Sequence, residues 1–152
     1  MKFKIDNAFL PTRAHKHDAG LDLPAVNGGT IYPGQSMVFQ TGVHVELPDP
    51  LRYVIDPSTT HNMPSTIFGL ICPRSGMNVK HGIFCSGVID EGYTGEILVR
   101  RFNFGDKPYE VEPGDKIAQM VVVPCLTGYD ITLVNEMEDS ERGENGFGSS
   151  GR

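Results

Sequence analysis

Apolar residues along this chain gather in short runs between turn signals, and almost nowhere do they recur at the 3.6-residue spacing of a helix. The runs Thr30–Tyr32, Met37–Gln40, Val43–Leu47, Tyr53–Ile55, Ile67–Ile71, Gly82–Phe84, Glu96–Phe104, Tyr109–Val111 and Ile117–Val123 are predicted strands. Asn27-Gly28-Gly29, Pro33-Gly34, Pro48-Asp49-Pro50 and Pro113-Gly114 punctuate them. Many strands at this spacing predict an all-β barrel, sandwich or jelly roll. Ile31-Tyr32-Pro33-Gly34-Gln35 echoes Val111-Glu112-Pro113-Gly114-Asp115, as the same turn used twice would. In Ala19–Ala25 a strand would turn Asp22 away from the face that holds Leu21 and Leu23. Val88-Ile89 and Ile97-Leu98-Val99 flank a turn of Asp90, Glu91, Gly92, Thr94 and Gly95, the pattern of a hairpin.

Length and charge narrow the picture. At 152 residues the chain suits one domain with a real core, and its net charge of -6 argues against a nucleic-acid binder. An anionic small substrate stays compatible, because a few placed arginines or a bound cation outweigh a distant net charge. Cys72, Cys85 and Cys125 lack CxxC spacing and lie among apolar residues, so they read as reduced core thiols, not a zinc site. No apolar run is long enough for a membrane span and MKFKIDN is not a signal peptide, so the expected location is cytoplasmic.

Several stretches hold chemistry that folding does not demand. Asp90, at the end of an apolar strand, suits a general base that orients one water, and Tyr93 could form a flat wall for a ligand. The plainer reading is an Asx-turn with a surface tyrosine. Arg74 and Ser75, between a strand-stopping Pro73 and Gly76, make either an anion grip or a turn with an exposed arginine. Gln119 is a neutral amide in an apolar strand, to be paired across the sheet or with a ligand. His15 and His17 have no further ligand nearby and read as an exposed polar segment. The polar stretch 48–66 reads as a long excursion. The tail from Glu141 to Arg152 is by composition a disordered segment. With Arg142 for phosphate and Phe147 for a base, it could also be a lid ordered by its ligand. Its GxGxxG lacks the strand before and the helix after that a dinucleotide fingerprint needs.

Taken together, AGLDLPA, PRSGM, GVIDEGYTGEI, PGDKIAQMV and RGENGFGSSG resemble, in order, the five motifs of the trimeric dUTPase family. The resemblance implies a distorted jelly-roll β-barrel over 1–134, a flexible C-terminal arm over 135–152, and a homotrimer whose sites each draw on three chains. It implies hydrolysis of dUTP to dUMP and pyrophosphate with Mg2+, the ion being held mainly by substrate phosphates and water.

By position, Asp90 would deprotonate the attacking water and Tyr93 would pack under the deoxyribose. Gly87, Val88 and Ile89 would lie along the base. Arg74, Ser75, Gly76 and Gln119 would hold phosphates, and Asp22 would support the arginine and metal network. Arg142 would grip the outer phosphate, Phe147 would cover the uracil, and the Gly148 and Ser149 amides would meet phosphate. Two rivals share the fold. A dCTP deaminase would carry a glutamate shortly after the third motif, where this chain has Leu98-Val99-Arg100. A nucleotide-binding regulatory protein would use the 48–66 excursion to meet its partner.

Overall fold

The computed structural model describes residues 1–48, 65–127 and 130–140. The predicted strand Tyr53–Ile55, nearly all of the 48–66 excursion, and Arg142, Phe147, Gly148 and Ser149 lie outside the described residues.

Among the described residues, ten strands and one short helix follow one another as β1 (Lys2–Ile5), β2 (Gly20–Pro24), β3 (Gly29–Ile31), β4 (Ser36–Glu46), β5 (Ser65–Cys72), α1 (Ser75–His81), β6 (Ile83–Phe84), β7 (Gly87–Ile89), β8 (Glu96–Asn103), β9 (Tyr109–Val111) and β10 (Lys116–Leu126). The fold is an all-β jelly roll. One sheet has the order β1-β4-β8-β6, a second has β2-β10-β5-β7, and β3 pairs with β9. Every ladder among the described residues is antiparallel. The core lies between the sheets, with Phe39, Val43, Ile97 and Val99 from the first meeting Leu21, Leu23, Ile71 and Met120 from the second.

Period-two alternation explains the clearest strand. In β8, Ile97, Val99, Arg101 and Asn103 point inward while Leu98, Arg100 and Phe102 point out. Two of those inward residues are polar. Asn103 is fully used: its Nδ2 donates to the carbonyls of Ile31 and Lys107, both at 2.8 Å, and its Oδ1 accepts from the Gly105 amide. Arg101 is 1% exposed and lies over the Tyr109 ring at 4.9 Å, yet its Nε and Nη2 have no hydrogen-bond partner. Burial pulls its pKa below the ordinary arginine value.

The repeated turn is real. Gln35 donates to the Tyr32 carbonyl and Asp115 to that of Glu112, each at 3.0 Å, with Gly34 (φ 76°) and Gly114 (φ 93°) in the third position. Proline before a positive-φ glycine is the type II turn, and the strands leading into the two turns, β3 and β9, pair with each other.

Three readings need correction. The predicted strands Met37–Gln40 and Val43–Leu47 are one strand, β4, whose register shifts between Gln40 and His44 around Gly42 (φ 61°). Pro73–Met77 is not a turn alone, because Ser75 starts the helix α1, which ends at Gly82 (φ 66°). Finally, β7 and β8 do not form a hairpin. β7 pairs with β5, and β8 pairs with β4 and β6, so the Asp90–Gly95 turn crosses from one sheet to the other. β1, at the edge of the first sheet, has no counterpart among the predicted strands.

Candidate active site

Asp22, Gln119 and Cys72 stand in one row across β2, β10 and β5. Asp22 is buried, and its two oxygens accept from Arg74 Nε at 3.0 Å and Lys116 Nζ at 2.8 Å. Such two-sided charge pairing makes burial of a carboxylate affordable. It also fixes the guanidinium by its Nε, leaving the two Nη groups for something else. Gln119 Nε2 donates to the Pro73 carbonyl at 3.0 Å, and its Oε1 lies across Gly20, where a methyl group would collide with it. The amide is thus paired within the protein, as the cross-sheet reading expects, and still borders a cleft.

That cleft has a volume of about 470 Å³ and is lined by Asp22, Arg74, Ser75, Gly76 and Gln119 together with the Ala14–Gly20 segment. Arg74 precedes α1, and the Ser75 and Gly76 amides fall in its first turn, where no earlier helical carbonyl receives them. The helix is held from behind: Tyr109 Oη donates to Met77 Sδ at 2.7 Å, and the His81 ring meets the Tyr109 ring edge-on. A guanidinium, a hydroxyl, an amide and open backbone N–H groups around a concave space suit a polyanion. His15 faces Asp18, with Nδ1 3.2 Å from its Oδ2, and among the described residues no cluster of His, Cys, Asp or Glu could hold a metal.

The second half lies on the crossing turn. Tyr93 N–H donates to the Asp90 carbonyl at 3.0 Å, closing the turn, and Tyr93 Oη donates to the Glu96 carbonyl at 2.9 Å. The ring therefore folds over Gly95, where any side chain would strike it. Glu91 accepts from Thr66 Oγ1 on β5. Asp90 is exposed. With Tyr93, Val88, Ile89, Glu96 and Leu98 it lines a cleft of about 230 Å³. Among the described residues β7 is the outermost strand of its sheet, so one row of the Gly87–Ile89 peptide groups faces no neighbouring described strand.

The two halves do not meet within one chain. Ile89 sits opposite Gly69, which puts Asp90 toward Phe68, whereas Gln119 sits opposite Cys72 and Arg74 lies two residues further on. Four strand rises separate those levels by about 13 Å. Among the described residues the clefts share no lining residue.

The residue pattern did not point to Lys116 as the second partner of Asp22, to the Pro73 carbonyl as the partner of Gln119, or to Gly20 as the space that the amide needs. The lysine after Pro113-Gly114-Asp115 was a usable signal, since β10 begins there beside Asp22. The three cysteines are free, but only Cys85 is buried, and desolvation pushes its thiol up to about 11. Cys72 and Cys125 are half-buried, so the reading of all three as core residues holds for one.

Comparison with known proteins agrees on one family. The family model described as dUTPase matches residues 58–151. A deoxyuridine 5'-triphosphate nucleotidohydrolase of Clostridioides difficile is 39% identical over 151 residues, covering 96% of this chain and 92% of that protein. One from Actinobacillus pleuropneumoniae is 39% identical over 155 residues, covering 98% and 92%. Among solved structures, a dUTPase of Staphylococcus bacteriophage 80alpha with dUpNHpp superposes with a TM-score of 0.79 at 30% identity, covering 99% of this chain and 98% of that one. A dUTPase from phage phi11 of S. aureus, described with a structural Mg(II) ion, gives 0.70 at 25% identity and covers 91% and 98%.

Proposed function

The chain belongs to the dUTPase family, and from that premise we propose that it hydrolyses dUTP to dUMP and pyrophosphate, clearing dUTP and supplying dUMP. The observation that carries the reading is the pair of complementary half-sites, the Asp90 level lying at Phe68 of β5 and the Gln119 level at Cys72. One is built for a polyphosphate and the other for a nucleoside beside a carboxylate. They join only when the Asp90 cleft of one copy faces the Arg74 cleft of another, so the working unit is an oligomer, a homotrimer by family. Ile131 and Leu133, each 96% exposed, are apolar side chains that a neighbouring copy would cover.

In the joined site, Asp90 takes a proton from the water that attacks the α-phosphorus. The bond from that phosphorus to the bridging oxygen breaks, and pyrophosphate leaves among Arg74, Ser75, Gly76 and Gln119. Because charge moves onto the leaving oxygens, donors fixed beforehand lower the barrier. Asp22 and Lys116 act through Arg74, which they hold in one direction. The unpaired peptide row of Gly87–Ile89 offers N–H and C=O groups to the base edge, and a base with the reversed donor pattern would leave them unsatisfied. Tyr93 lies against the sugar and leaves no room for a 2′-hydroxyl. Arg142, Phe147, Gly148 and Ser149 complete the site as an arm over 135–152.

Magnesium fits this site as a companion of the triphosphate. Both Asp22 oxygens are already taken by Arg74 and Lys116, so the substrate's own oxygens are the available ligands. When bound, the ion neutralises charge on the departing pyrophosphate. Free thiols suit a reducing compartment, in keeping with a cytoplasmic enzyme.

Mixing inactive chains tests both the residues and the assembly. Asp90→Asn and Arg74→Ala should each be nearly inactive on dUTP. Unfolded together and refolded as mixed oligomers, they should recover about a quarter of wild-type activity if different copies supply the two groups. Recovery of nothing would place both groups in one chain's site and defeat the shared-site reading.

A further inference from the structure

The Asp90–Gly95 turn is pinned to both sheets. On one side Glu91 meets Thr66 of β5. On the other, His44 of β4 reaches the turn's main chain, with Nδ1 2.9 Å from the Thr94 carbonyl oxygen. The same ring places Nε2 3.1 Å from Asp6 Oδ2, just beyond the end of β1. A carbonyl and an ionised carboxylate are both acceptors, so the ring satisfies both only when both nitrogens carry hydrogen. A neutral ring donates to one partner and turns a lone pair on the other.

We propose that His44 is a positioning residue for the reaction: as imidazolium it ties β1 to the turn that carries Asp90 and Tyr93, and loss of its proton releases one end of the tie. This rests on the assignment of Asp90 and Tyr93 made above. Among the described residues, the charged groups around the ring are these. Lys4 stands opposite His44 on β1 and pairs with Asp6 at 2.7 Å. Glu96 stands opposite it on β8 and accepts from the Gly42 amide at 2.8 Å. The Lys2–Glu46 pair lies two residues along. Asp6 is held below the usual carboxylate range, first by the bond from Lys4, with His44 adding to it, so it stays an acceptor throughout the range in which a histidine titrates. The irregularity at Gly42, where a side chain would strike the Asp6 carbonyl, sets β4 so that His44 faces Asp6 and Thr94 together.

The test compares wild type, His44→Gln and Asp6→Asn as intact oligomers between about pH 5.5 and 8.5. In ¹⁵N spectra of labelled histidine, the His44 ring should have both nitrogens protonated at the acid end of this range. His44→Gln should reduce kcat on dUTP by about tenfold at the acid end while KM moves less than about twofold. The ratio of wild-type to variant turnover should then shrink as the ring titrates. Asp6→Asn changes an exposed side chain and removes the charge that the imidazolium faces, so it too should lower kcat at the acid end. A ratio that does not depend on pH, or a ring neutral across the whole range, would overturn the proposal. Full turnover in Asp90→Asn would instead sink the assignment on which it rests.

Discussion

Asp22 lies on β2 and Arg74 two residues beyond β5, strands that are not neighbours, yet their side chains meet at 3.0 Å above the Gln119 row of β10 between them. The role proposed for this carboxylate is to aim the guanidinium rather than to touch substrate. Asp22→Asn keeps the shape but loses the charge that orients both Arg74 and Lys116. Apparent affinity for dUTP should fall by about ten- to a hundredfold, with a smaller change in kcat. Steady-state kinetics checks this, and an unchanged KM would remove Asp22 from the binding network.

Tyr93 owes its position to the bond from its hydroxyl to the Glu96 carbonyl and to the absence of a side chain at Gly95. Tyr93→Ala should narrow the preference for dUTP over UTP, because the wall against a 2′-hydroxyl is gone. Gly95→Ala should do the same by displacing the ring. Relative kcat/KM for the two nucleotides is the readout, and an unaltered ratio in both variants would take the ring away from the sugar.

Arg101 is buried with two unpartnered nitrogens, and each unsatisfied group costs about 1–3 kcal/mol. Its contact with the Tyr109 ring returns about 0.5–2 kcal/mol. The cost exceeds the return, so Arg101→Met, similar in reach and apolar, should leave stability unchanged or raise it by up to about 2 kcal/mol. Urea unfolding measures this. A large loss of stability would mean that the guanidinium has a partner of real strength.

Removing residues 142–152 takes away Arg142 and Phe147 and leaves in place every core residue found among the described residues. The melting temperature should stay nearly the same while turnover collapses, since the Arg142 cation that would neutralise the leaving pyrophosphate is lost. Calorimetry and a pyrophosphate assay on the same sample decide the matter. Full activity in the shortened chain would leave those residues no role in the reaction.

What the residue pattern revealed was local. Pro33-Gly34 and Pro113-Gly114 announced their turns because one proline and one positive-φ glycine suffice to define them. The alternation in β8 was legible for a similar reason, as each side chain's direction follows from its neighbours. The hairpin reading failed because sheet membership is not local: β7 is claimed by β5 and β8 by β4, and nothing within Val88–Val99 reveals that. α1 was invisible because none of its residues is buried, so it needs no apolar stripe. Asp90, Arg74 and Gln119 stood out as polar residues where strands end or run apolar. Lys116 and His44 did not, since their importance comes from a partner far away in sequence.

The turn from Asp90 to Gly95 starts on one sheet and finishes on the other, so it works as a gauge of the gap between them. Anything that lets the sheets slide or breathe, such as a smaller residue at Ile97 or applied pressure, would be read there as a shift of the carboxylate. In such a molecule the interior filling sets the chemistry's calibration, and wear in the core would be felt as slower turnover well before the fold gives way.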